Sequence, residues 1–308
     1  MIGRAQPLAS HPPAAGPTAS SLAAVYAAGL VTVLIWAGTA IVTKIAVRSI
    51  DPVLLALLRT VVPGVLLVPA AFALRVPRPR GSREIGWLVL SAVCAFIGFP
   101  LCYTLALRYT TASHVALLLA SQSIFTGLIA ASLERRAPTK RWIAGCVVAL
   151  AGEVALIAFR FGLSVGGSLT GDLWAIAAAL VSSSGYVAGA RLATRIGTWG
   201  TTVWGNILAA LIALGPLLYL GAPVDWSALD WTVWAAVAYI AIGASFLAYV
   251  LWYWAMARGG VARVSLLLFT NPIFTILLAV LFLGERLTGP LLLSGAAVLV
   301  GIWLAQRR

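Results

Sequence analysis

The sequence predicts an all-α integral membrane protein of ten transmembrane helices, arranged as an inverted repeat of five and five with both termini cytoplasmic. Three observations predict it: a composition too apolar for a water-soluble core, a succession of uncharged apolar runs of membrane-crossing length, and a match of the chain to itself at an offset of 149 residues.

Of 308 residues, 62% are hydrophobic and only 9% charged, whereas soluble domains carry roughly 25% charged side chains. One soluble core cannot hide that surplus, so lipid is the solvent for most of it. Runs of about 20 apolar residues match the hydrocarbon thickness of a bilayer. They fall near Ala24 to Val47, Pro52 to Leu74, Ile85 to Leu107, Ala112 to Leu133 and Trp142 to Phe159. Five more lie near Leu173 to Ala190, Val203 to Leu220, Trp231 to Ala257, Val264 to Leu283 and Leu291 to Ala305. The runs are continuously apolar, which predicts helices rather than the alternating strands of a barrel. Trp142, Trp231 and Trp303 stand near span ends, as interfacial belts require. Residues 1–20, rich in Pro, Ala and Ser, lack the apolar core of a signal peptide and read as a disordered cytoplasmic tail. Cys94, Cys102 and Cys146 all lie in apolar runs, with neither a disulfide framework nor metal-ligand spacing, and read as packing residues.

The net charge of +13 reports topology rather than nucleic acid, because the basic residues sit in short loops and none alternates with aromatics. One side of the spans holds Arg4; Arg75, Arg78, Arg80 and Arg83; Arg135, Arg136, Lys140 and Arg141; Arg191 and Arg195; Arg258 and Arg263; Arg307 and Arg308. The other side holds only Arg48, Arg108, Arg160 and Arg286. Fifteen against four puts both termini in the cytoplasm.

The internal match pairs HVALLLASQSIFTGLIA (His114 to Ala130) with RVSLLLFTNPIFTILLA (Arg263 to Ala279), identical at nine of seventeen positions. Nearby pairs keep the register to within a residue or two: Tyr103 with Tyr253, Arg108 with Arg258, Gly145 with Gly295, Glu134-Arg135 with Glu285-Arg286, and KIAVR from Lys44 with RLATR from Arg191. The matched spans are the fourth and ninth. Five spans apart, the two copies cross the membrane in opposite directions, which divides the chain into repeats over 21–160 and 165–308. Such inverted pairs occur in secondary transporters, where exchanging the conformations of the halves exposes a midplane site to each side in turn.

These motifs resemble the drug/metabolite transporter superfamily in its ten-span EamA-type branch, over nearly the whole chain. The resemblance rests on WAGTAIVTK (Trp36 to Lys44), Arg59, NPIFTILLAVLFLGERLTG (Asn271 to Gly289) and SLERRAPTKRWIAGCVVALAG (Ser132 to Gly152). It departs at Ser123, which faces Pro272 in the alignment where the family carries proline in both copies, so the fourth helix is expected to lack the kink of the ninth. Within the branch the pattern looks most like YddG-type amino-acid exporters. The resemblance implies a gradient-driven carrier of amino acids or related small metabolites in a bacterial-type inner membrane, with no cofactor. Spans three, four, eight and nine would line a cavity, one, two, six and seven would surround it, and five and ten would pack outside. No GxxxxGK[ST] phosphate loop is present, consistent with transport without ATP.

The proposed cavity spans carry Tyr103, Gln122, Tyr249, Trp252, Tyr253 and Asn271, with Trp36 nearby. Amides and phenols suit the polar ends of an amphipathic substrate, and rings its apolar or cationic part. The plainer reading is helix packing, since interhelical polar bonds contribute about 0.6 kcal/mol on average. Gln122 and Asn271 stand out because they occupy equivalent positions of the repeat. His114, at the outer start of its span, is either interfacial or a proton-sensing gate. Pro63, Pro100, Pro216 and Pro272 are candidate hinges or tolerated kinks.

Ionisable groups inside spans must snorkel, pair or face water. Lys44 is about one turn from its span's outer end, whereas Arg59 lies roughly 10 Å in. Glu153, some 16 Å along the fifth span, is a candidate counter-ion or proton carrier. Catalysis is not expected: no GxSxG, HExxH or paired intramembrane aspartates occur, and Asp51, Asp172, Asp225 and Asp230 fall outside the spans. A broader drug/metabolite exporter and a lipid-precursor flippase share the expected architecture, while no charge ring or carbonyl-filter segment suggests a channel. Membrane lipid and a small-molecule substrate are the expected partners; nothing in the sequence chooses between monomer and homodimer. If Glu153 takes a proton during transport, Glu153→Gln flattens the pH dependence of flux in vesicles; an unchanged profile removes that role.

Overall fold

The computed structural model describes residues 19–135, 139–162, 168–259, 267 and 270–306, and among them all regular secondary structure is helical. Helices α1 (Ala19–Ala46) and α2 (Pro52–Ala73) are followed by a composite α3. It runs as α-helix over Ser82–Ser91, π-helix over Ala92–Gly98 and α-helix again over Phe99–Tyr109. In α4, Ala112–Leu118 passes through a 3₁₀ turn at Leu119–Ser121 into Gln122–Glu134. Next is α5, Lys140–Gly162. Leu169–Gly221 would be one rod of 53 residues but for Gly197, whose φ of 77° and ψ of 163° turn the chain. Its two arms, 169–196 and 198–221, are α6 and α7. The composite α8 consists of Trp231–Ala238, a π-helix over Tyr239–Leu247, and Ala248–Gly259. Last come α9 (Asn271–Leu283) and α10 (Gly289–Gln306). Among the described residues, six helices are long and apolar enough to cross a membrane, counting Leu169–Gly221 once; Asn271–Leu283 and Gly289–Gly301 are shorter apolar helices.

Local chemistry sets the ends. Asp51 caps α2 by accepting from Val53 N (2.8 Å) and Leu54 N (3.2 Å), with Pro52 in the first turn. Thr111 Oγ1 caps α4 through His114 N, and Ser168 Oγ caps α6 through Gly171 N, both at 3.2 Å. α4 and α9 each stop at a left-handed residue, Arg135 (φ 53°) and Gly284 (φ 66°), again 149 residues apart. That register places Glu134 before its cap and Glu285 after it. The Glu-Arg pairs matched in the sequence are therefore not structural equivalents.

The outer surface is apolar, unlike that of a soluble protein, while the mostly apolar interior also holds polar side chains. Val65, Leu66, Leu211, Leu218, Leu281, Phe282 and Leu293 are all more than half exposed, while Thr32, Thr60, Ser113, His114, Asp172 and Asn206 are buried. Helices with large apolar side chains on their outer faces and polar groups turned inward suit lipid as solvent.

The repeat is visible in the backbone. Both third helices, α3 and α8, carry a π-helical segment at matching places, and α4 is interrupted by 3₁₀ geometry just before Gln122, as the chain is at Thr270 before Asn271. The 3₁₀ turn in α4 forms although Ser123 stands where α9 carries Pro272. Ser121 Oγ donates to Leu118 O (2.6 Å), occupying a carbonyl in the turn that departs from α geometry. α5 and α10 pack chiefly on each other, with the reciprocity that a two-fold axis produces. A Cβ on Gly301 would lie 2.3 Å from Ala149 N and 2.6 Å from Gly145 O; one on Gly152 would lie 2.9 Å from Ser294 O and 3.0 Å from Val298 N. Residues 145, 149 and 152 correspond to 294, 298 and 301 at the same offset. Gly301→Ala is expected to lower the unfolding midpoint in detergent, by overpacking of about 1–3 kcal/mol, while Gly86→Ala, exposed in its helix with no atom within 4 Å of the new Cβ, holds or raises it, by about 0.5–1 kcal/mol of helix propensity.

Candidate functional site

The π-helix of α8 is where α1 is held. Shifting backbone bonds from i+4 to i+5 leaves carbonyls off register, open to side-chain donors. Trp36 Nε1 donates to Ala244 O (3.1 Å), Thr32 Oγ1 reaches Ala248 O (3.3 Å), and Tyr239 OH, inside the π segment, donates to Ile35 O (2.8 Å). Trp36 also meets the buried Trp252, ring centroids 5.4 Å apart at 58°. In α3 the equivalent segment receives Thr60 Oγ1 from α2 at Phe96 O (2.7 Å).

Beside that second junction lies the intramembrane arginine. The Arg59 guanidinium carbon is 5.6 Å from the ring centroids of both Phe99 and Tyr103, which stack at 5.4 Å on the first turns after the α3 π-helix. Tyr103 is buried in the largest core cluster, with Ala40 and Ile41 of α1, Val115 and Leu118 of α4, and Ala279 of α9. Gln122 and Asn271, both half-buried, begin the segments that follow the two interruptions. Asn271 Oδ1 accepts from Thr275 Oγ1 (3.1 Å), and the Gln122 carbonyl accepts from Ser183 Oγ of α6 (2.9 Å). Pro272 stands in the first turn of α9 and Pro100 directly after a π-helix; Pro63 is buried within α2, and Pro216 is exposed in α7. For Glu153, Tyr249 and Tyr253 the backbone alone is described, and their side chains lie outside the described residues.

A denser polar cluster ties helix ends together at one end of the bundle. Lys44 does not need to snorkel: its Nζ donates at 2.5 Å to Leu107 O and Thr110 O, capping the C-terminus of α3. Arg108 Nη1 returns a bond to Val47 O at the end of α1 (2.7 Å). Glu285, after α9, accepts from Ala112 N (2.8 Å), Ser113 N (3.1 Å) and Ser113 Oγ (2.6 Å) at the N-terminus of α4, where a negative charge also meets the helix dipole. Asp172 is fully buried in the first turn of α6, not outside the spans, and accepts from Thr110 Oγ1 (3.1 Å). His114 is buried as well, its Nδ1 3.6 Å from Asp172 Oδ1: close enough for an ionic contact when protonated, too long for a hydrogen bond. Sequence reading singled out Lys44 and His114 but missed Asp172, Ser113 and Glu285 as their surroundings. The only available signal was Glu285 as a repeat marker. Among the described residues no cluster of three or more His, Cys, Asp or Glu could hold a metal ion.

The model of the EamA-like transporter family matches the chain twice, over residues 23–158 and 169–306. This chain belongs to that family. A transporter of Bacillus subtilis, YdeK, is 30% identical over 281 residues, covering 91% of this chain and 96% of the relative. A probable terminal-alkyne amino-acid exporter of Streptantibioticus cattleyicolor is 28% identical over 291 residues, covering 91% and 92%. A probable amino-acid metabolite efflux pump of Escherichia coli is 25% identical over 288 residues, covering 89% and 92%. A solved crystal structure superposes with a TM-score of 0.64 over 92% of this chain and 96% of the other, at 24% identity, which establishes the common fold. The protein is a multi-pass membrane transporter of small molecules.

In that setting Lys44 holds the ends of α1 and α3 together. Lys44→Met keeps the stem and strands two helix-terminal carbonyls, which is expected to cost about 1–3 kcal/mol; the unfolding midpoint in detergent should fall, while the exposed Lys140→Met leaves it in place.

Proposed function

We propose that this transporter is a ten-span secondary carrier that exports amino acids or closely related zwitterionic metabolites by alternating access. Its two inverted halves span 21–160 and 165–308, and both termini and the arginine-rich loops face the cytoplasm of a bacterial-type inner membrane. The observation that carries this reading is the pairing of helix interruptions: π segments in α3 and α8, and breaks immediately before Gln122 and Asn271. Discontinuous helices at equivalent places in two halves expose backbone polar groups where a substrate can use them, and give each half a bending point. The reciprocal glycine contacts of α5 and α10 support a two-fold relation between the halves. Export and amino acids are supported by the names of the efflux relatives.

The chemistry suits a zwitterion. Arg59 supplies a fixed positive charge, and its planar fork suits a carboxylate. Gln122, Asn271 and Tyr103 supply hydrogen bonds, and the Trp36–Trp252 pair offers an apolar wall with faces for an ammonium group. The cluster of Lys44, Ser113, Asp172 and Glu285 then forms the outer gate. It joins α1, α3, α4, α6 and the α9–α10 connection through charge-assisted bonds that must break for the outer side to open.

Reconstituted into sealed liposomes without added lipid substrate, the purified chain is expected to take up at least one of a panel of labelled amino acids saturably. Gln122→Ala/Asn271→Ala should reduce that uptake at least tenfold, at about 1.5–3 kcal/mol for hydrogen bonds to a charged substrate. Uptake of no amino acid in the panel would replace this reading with a drug, other-metabolite or lipid substrate.

A further inference from the structure

We propose that the arginine-rich turn between α2 and α3 is a binding site for the phosphate head group of an anionic diacyl lipid. It forms a cavity of about 440 Å³ lined chiefly by Phe72, Arg75, Pro77, Arg78 and Arg80, at the bundle end that the arginine count assigns to the cytoplasm.

Topological sorting explains why basic residues occur at this end, but it requires only that they be present. This turn is in addition built. Arg75 adopts a left-handed φ of 48°, and Val76 N donates back to Ala71 O (3.0 Å). Pro77 O accepts from Trp204 Nε1 of α7 (2.9 Å), and Arg80 N donates to Glu84 Oε2 (2.9 Å). The Arg78 guanidinium carbon is 5.2 Å from the Phe72 ring centroid and 5.4 Å from that of Trp204, and the two rings meet edge to face at 6.3 Å. The turn is thus pinned to two helices, and much of the ordering entropy that a flexible arginine would lose on binding is already spent. Guanidinium forks match phosphate oxygens, and three of them around one cavity outweigh the single carboxylate of Glu84.

The adjoining surface identifies the source of the phosphate as lipid. Val65, Val68 and Phe72 follow one another at helical spacing along the exposed face of α2, an apolar track of about 10 Å leading to the cavity. A soluble phosphate would use the arginines and leave this track unused; a lipid anion uses both. Zwitterionic phosphatidylcholine carries its own cation towards the same arginines and gains less. Basic pockets at the cytoplasmic ends of membrane helices bind anionic head groups by this combination.

The test is titration of the full-length, detergent-purified chain by native mass spectrometry with phosphatidylglycerol, phosphatidylcholine and sn-glycerol 3-phosphate. Phosphatidylglycerol should bind more tightly than either alternative. Arg78→Gln/Arg80→Gln should weaken it about thirtyfold, at roughly 1 kcal/mol per arginine. Arg191→Gln/Arg195→Gln, which removes the same charge from the same end, should weaken it less than about threefold, since those positions act only through the screened field. Equal losses in the two double variants, or equal binding of phosphatidylcholine, overturn the proposal. Binding of sn-glycerol 3-phosphate as tight as the lipid overturns the lipid as the source. Should the first variant not fold, Arg80→Gln alone leaves the Arg78 stack intact and should still weaken phosphatidylglycerol about fivefold, again at roughly 1 kcal/mol; no loss there overturns the site.

Discussion

Within lipid every backbone N–H and C=O must find its partner inside the protein, and the rest of this structure follows from that demand. At both π segments and at the facing ends of α3 and α4 a side chain takes up the displaced backbone group. Trp36 serves Ala244, Thr60 serves Phe96, Lys44 serves the last carbonyls of α3, and Glu285 serves the first N–H groups of α4. A soluble protein could leave such groups to water. Here the two π segments are also interhelical ties, to α1 in one half and to α2 in the other.

That coupling gives the two-fold repeat a mechanical meaning. The π segments of α3 and α8 and the breaks in α4 and before α9 concentrate backbone irregularity in the third and fourth helices of each half. α5 and α10 are continuous helices locked by glycine contacts at backbone distance. Movement is easier where bonds can be exchanged between backbone and side chain than where two backbones are in van der Waals contact.

Some features of the site were legible in the sequence because they depend on spacing. The equivalence of Gln122 and Asn271 follows from a seventeen-residue match, and Arg59 stands out as a charge in an apolar run. The 3₁₀ turn before Gln122 was not legible, because it depends on a local hydroxyl rather than a proline, and Ser121 supplies that hydroxyl. Asp172 misled for a related reason. A carboxylate four residues past the Ser168 cap looks like a loop residue until the fold brings Thr110 and His114 against it.

The sequence by itself determined that the chain is helical, that lipid surrounds it, and that its two halves are copies, since composition, run length and periodicity are properties of neighbours along the chain. Tertiary structure alone decided which polar groups meet. Glu285 reaches the start of α4 across 173 residues and Trp36 reaches Ala244 across 208. Partners at such separations are fixed by how helices cross and which carbonyls a π turn frees, and no local pattern in the sequence encodes either.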